Sequence, residues 1–185
     1  MIKRITPLAI LAATLLAPPL WAADGTMKFS GKVKENTCVL MAGSKNQTVN
    51  MGRNSTYYMG SISSANELTV QLNDCPASSN QVRVKFEGTP ATSESDPGKI
   101  FAFSNTGQPG AAGNVGFIIG ESYSFSSLIQ VNGTSKLYDL QTGPGSINKL
   151  PFYVGYEALT PGVSGAGIIT PGTVIGNVQF SVLYP

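Results

Sequence analysis

The chain has 185 residues, with 12 basic and 10 acidic side chains, a formal net charge of +2, two cysteines and no histidine. That length suits a single domain rather than two. So small a charge excludes a basic field for nucleic acid, and the lack of histidine removes the usual general base and the commonest metal ligand.

The opening residues read as a leader. Lys3 and Arg4 precede an apolar run through Leu8, Ala9, Ile10, Leu11, Leu15 and Leu16, followed by Pro18-Pro19-Leu20-Trp21-Ala22. A cationic start, a short apolar stretch and a small exit residue predict a secretory signal peptide over 1–22. The run is too short and too broken by proline to stay as a membrane-spanning helix. Cleavage after Ala22 leaves Ala at −1 and Leu20 at −3, whereas cleavage one residue later puts bulky Trp21 at −3. The remaining 163 residues lose Lys3 and Arg4 and are formally neutral. An exported, soluble protein is expected.

Residues 23–37 form an N-terminal extension with strict alternation. Gly25, Met27, Phe29, Gly31 and Val33 share one face; Thr26, Lys28, Ser30, Lys32 and Lys34 share the other. A one-sided strand at a chain end frays unless a partner holds it, in its own sheet or in another molecule. Cys38 and Cys75 both lie in the exported part. An oxidising compartment favours one disulfide between them over two buried free thiols. In the chain-entropy view, closing that loop contributes roughly 4 kcal/mol.

Beyond Cys38, charge is sparse and Gly, Ser, Thr and Asn are abundant, so long amphipathic helices are not expected. Leu68, Val70 and Leu72 alternate, as do Val82, Val84 and Phe86; further strand-like runs cover 100–103, 115–119, 128–131 and 152–156. Asp96-Pro97-Gly98, Gln108-Pro109-Gly110 and Gly143-Pro144-Gly145 are turn signals between them. The last run, 173–184, places Val174, Val178, Phe180, Val182 and Tyr184 on one parity. Period-two patterning in short segments predicts an all-β sandwich or barrel. A long final strand presents an edge that needs cover.

Catalysis has few candidates. Glu94, Asp96 and Glu121 are scattered and read as solvated loop residues, and Gly165-Ala166-Gly167 lacks the strand–turn–helix setting and lysine of a phosphate-binding loop. Two bridged cysteines offer neither a thiolate nucleophile nor a zinc site. Tyr57-Tyr58 point to opposite faces of any strand, which suits packing better than sugar stacking. No catalytic residue, cofactor or metal is expected.

The ordered set of features resembles the pilin subunits of chaperone–usher fimbriae, especially the short adaptor subunits of type 1-like pili. The resemblance spans the exported chain and rests on the extension with Phe29-Ser30-Gly31-Lys32-Val33, Cys38, Gln71-Leu72-Asn73-Asp74-Cys75, Leu150-Pro151-Phe152-Tyr153 and Tyr184 in the penultimate place. It implies an incomplete immunoglobulin-like sandwich over 38–185 that lacks its last strand. A periplasmic chaperone lends that strand, and at the outer-membrane usher a neighbouring subunit's extension replaces it. Met27, Phe29, Gly31 and Val33 would then be the donor strand, Gly31 serving where the groove is too tight for a side chain. Val174, Val178, Phe180, Val182 and Tyr184 would line the groove or contact the chaperone. Met27 and Pro185 depart from the family's usual residues. The other reading open is a self-contained secreted sandwich that recognises carbohydrate or host protein.

Overall fold

The computed structural model describes residues 37–56, 63–93, 98–160 and 169–185. Among the described residues, seven strands and one four-residue helix follow in chain order: β1 (Val39–Leu40), α1 (Ala42–Lys45), β2 (Ser63–Asn73), β3 (Gln81–Glu87), β4 (Val115–Gly120), β5 (Tyr138–Asp139), β6 (Ile147–Ala158) and β7 (Gln179–Leu183). They form a four-stranded sheet ordered β1-β2-β6-β4 and a three-stranded sheet ordered β5-β3-β7, with every named pairing antiparallel.

The predicted alternation sets the core. Val70 and Leu72 from β2, Val82, Val84 and Phe86 from β3, and Leu150, Phe152 and Val154 from β6 are sealed from solvent, while Arg83 between them is exposed. Phe86 meets Phe152 edge to face at 4.9 Å, tying one sheet to the other; such pairs add about 0.5–1.5 kcal/mol beyond area burial. Phe117 lies between Phe101, stacked on it at 5.2 Å, and Phe103, tilted against it at 5.1 Å. The Cys38–Cys75 disulfide joins the start of β1 to the end of β2, as the sequence led one to expect.

Two apolar runs do not become strands. Residues 100–103 contribute a bridge: Phe101 and Phe117 exchange backbone N–H to carbonyl bonds of 2.8 and 3.0 Å. Residues 128–131 contribute another through Leu128 and Gly120. Both cover β4, whose six residues are buried on both faces. The final strand is also shorter than 173–184. Thr170 and Thr173 bond to Gly113, Gly110 and Ala112 instead, and β7 begins only after Gly176. A Cβ at Gly176 would sit 2.8 Å from the Phe117 ring, so the chain crosses the aromatic stack where only glycine fits.

Glu121 is a half-exposed loop residue that also has two partners: it accepts from the Ser127 hydroxyl at 3.1 Å and from the Lys136 backbone N–H, pinning two loops together. Glu94, Asp96, Tyr57, Tyr58 and the Gly165–Gly167 cluster lie outside the described residues.

Candidate functional site

The two sheets part along one side. β7 pairs with β3 alone among the described residues, and β1 pairs with β2 alone, so each forms an edge of its sheet. Between these edges lies a cavity of about 430 Å³ lined by Leu40, Lys45, Asn46, Val178, Gln179 and Phe180. A second opening continues it past Val178 to Glu87, Gly88 and Thr89.

Of the residues that the alternation singled out, Val178 and Phe180 line this cavity. Val174, Val178, Phe180, Val182 and Tyr184 all pack against the main core, yet all remain only half-buried. Their cross-strand partners give the contrast. Val182 stands opposite Val84 and Phe180 opposite Phe86, and those two β3 residues are 0% and 1% exposed. Directly paired residues of an antiparallel ladder point to the same face. The β7 side chains are therefore core residues with one flank open.

Tyr184 ties the last strand to the first: the Cys38 backbone hydrogen-bonds to the Tyr184 hydroxyl. Burial pushes the Tyr184 pKa up, and that hydrogen bond opposes the rise. At the other edge Ser44 and Gln47 anchor the helix: Ser44 Oγ accepts from the Gln71 N–H at 2.9 Å, and Gln47 Nε2 donates to the Thr69 carbonyl at 2.8 Å.

On the opposite side of the cavity stand residues that the sequence did not single out. Leu40, Lys45 and Asn46 carried no signal beyond Leu40 sharing the parity of Cys38. The proposed donor residues Met27, Phe29, Gly31 and Val33 lie outside the described residues. No cluster of three metal-ligating side chains occurs among the described residues, and none of their helices is long and apolar enough to cross a membrane.

What fold and site define is a structural β-sandwich subunit with an open flank, built of apolar pockets and backbone edges rather than reactive groups. The family model described as "Fimbrial protein" matches residues 27–185, and the chain belongs to that family. It is 30% identical to the probable major fimbrial subunit LpfA of Escherichia coli O157:H7, over 97% of this chain and 93% of that protein. It is also 30% identical to a type-1 fimbrial protein A chain of Escherichia coli, over 96% and 91%. Among solved structures, it matches a chaperone–usher pilus subunit with a TM-score of 0.61 at 17% identity, covering 91% of this chain and all of that one. The P pilus rod subunit PapA gives a TM-score of 0.60 at 14% identity, covering 81% and all of that chain. The fold is thus the immunoglobulin-like pilin fold, and the chain is a fimbrial subunit, a structural protein and not an enzyme.

Proposed function

We propose that this subunit polymerises head to tail by donor-strand exchange and functions in a cell-surface fimbrium that supports adhesion. Residues 1–22 act as a signal peptide, 23–37 as the donor extension and 38–185 as the pilin domain. The reading rests on the contrast along the β3–β7 ladder: Val84 and Phe86 are sealed while Val182 and Phe180 are left half open. An incoming strand beside β7 would gain backbone hydrogen bonds and drop alternate side chains onto this wall.

The chain's own extension has the matching pattern, with Met27, Phe29, Gly31 and Val33 on one face. Burial of Met27, Phe29 and Val33 contributes roughly 1.5–3 kcal/mol each, and Gly31 fits where the groove is shallow. Before assembly a periplasmic chaperone occupies the groove, and the outer-membrane usher is where exchange takes place. Deleting residues 23–34 tests the proposal. The truncated subunit should still co-purify with its chaperone but fail to enter a neighbour's groove; normal polymerisation would overturn it.

The sequence pointed to a minor or adaptor place in the fibre. The names of its relatives, a probable major subunit and type-1 A chains, instead favour a repeated place. Counting copies per fibre with a labelled antibody separates the two: one or two near the tip for an adaptor, labelling along the length for a shaft subunit.

A further inference from the structure

On the outer face of the four-stranded sheet, away from the groove, residues 121–127 form a loop in which serine and aromatic residues alternate: Ser122, Tyr123, Ser124, Phe125, Ser126. Phe125 is buried and holds a left-handed backbone conformation, φ 52°, which a bulky side chain adopts only when its surroundings enforce it. The enforcement is visible. Its ring lies over Gly120 and Gly155, where an added Cβ would come within 2.7 Å of the ring at either position. Glu121 holds the two ends of the loop through Ser127 and ties it to the Lys136 backbone.

This anchoring presents a particular surface. Tyr123 is 70% exposed and held edge to face against half-buried Tyr153 at 5.9 Å. Ser122 and Ser126 share a hydrogen bond of 2.9 Å, and Ser124 lies 3.4 Å from each, so two exposed serines and half-buried Ser122 cluster their hydroxyls in this loop. Across the ladder from Tyr153 stands exposed Glu67. Residues 121–128 include no cation.

We propose that this loop binds a neutral carbohydrate. A fixed aromatic face stacks on the apolar C–H side of a sugar ring, while clustered hydroxyls and a carboxylate exchange hydrogen bonds with sugar hydroxyls. The carboxylates of Glu67 and Glu121, without a neighbouring cation in the loop, select against sialylated or sulfated sugars. The Glu121 bonds and buried Phe125 tether the loop at several points, which lowers the ordering entropy that opposes the contact.

Saturation-transfer NMR on purified fimbriae of the full-length chain tests the site, with the methyl glycosides of mannose, galactose, glucose and N-acetylglucosamine as probes. At least one should receive saturation on its ring protons, with a Kd on the order of 1 mM, as one small contact surface allows. Tyr123→Ala should weaken the transfer at least tenfold, Tyr123→Phe should retain it, and Ser124→Ala should reduce it a few-fold. Tyr123→Phe keeps the ring and its packing, so loss in the alanine variant alone reports on stacking. No transfer from any of the four, transfer unchanged in Tyr123→Ala, or transfer only to a sialylated or sulfated probe would overturn the proposal.

Discussion

Phe180 stands directly opposite Phe86 in the β3–β7 ladder, on the same face of the sheet, yet only Phe86 is sealed from solvent. The asymmetry means that Phe180 has unrealised burial available to a ligand strand. Truncation to alanine should therefore weaken strand binding more than it weakens the subunit. Against a synthetic peptide of residues 23–37, Phe180→Ala should lower affinity by about 2–4 kcal/mol, roughly 30- to 700-fold. Leu183→Ala, on the exposed face and outside the cavity lining, should change it little. Isothermal calorimetry on a subunit lacking its own extension gives the comparison.

Tyr138 governs the alkaline limit. Burial, and then the negative charge of Glu121, pushes its pKa up to about 12. An unfolded tyrosine titrates near 10. Below pH 10 both states hold the proton and the full stability is present. Between pH 10 and 12 the unfolded chain loses its proton while the folded one keeps it, so stability falls as pH rises. Tyr138→Phe should remove much of this loss in denaturant melts taken at pH 8 to 12. At pH 7 it should be neutral or stabilising, because the Tyr138 hydroxyl is buried with no hydrogen-bond partner among the described residues.

Gly155 and Phe125 should behave as a coupled pair. A methyl at Gly155 meets the Phe125 ring at 2.7 Å, so Gly155→Ala should cost about 1–3 kcal/mol in the native protein. Phe125→Ala should cost about 3–5 kcal/mol by leaving a hole. With the ring already removed, Gly155→Ala should cost almost nothing. A double-mutant cycle in urea reads the coupling.

Asn148 replaces a stretch of sheet. Its side chain accepts from the Gln141 N–H at 2.7 Å and donates to the Gln141 carbonyl at 3.0 Å, while staying buried. Asn148→Ala would remove both of these bonds, at about 0.5–1.5 kcal/mol each. Hydrogen exchange at the Gln141 amide should accelerate alongside the drop in melting temperature.

Much of this architecture was legible beforehand because a half-buried strand writes its period into the chain. Val82, Val84 and Phe86 gave β3, and the parity of Val178, Phe180, Val182 and Tyr184 gave the open wall. β1 and β5 have two residues each, too few for any period to show. The aromatic stack under Gly176 joins residues 103, 117 and 176, a meeting that no local window contains. The Glu121–Lys136 contact was illegible for the same reason, since the two are fifteen residues apart. The serine–aromatic alternation at 122–126 was visible, but the slot that seats Phe125 comes from two other strands.

Pro151 sits within β6 opposite Thr69, on the half of the strand that β4 does not cover. Proline brings no N–H to a ladder, so a stray chain aligning there meets a gap. At the sheet's other border, two-residue β1 gives way to α1, whose Ser44 and Gln47 occupy the Gln71 and Thr69 backbone groups. Under the donor-strand exchange proposed above, fibre growth and random clumping would draw on the same backbone hydrogen bonds. Blunting both borders of the larger sheet would then steer association toward β7 and keep crowded subunits from gluing together in the wrong order.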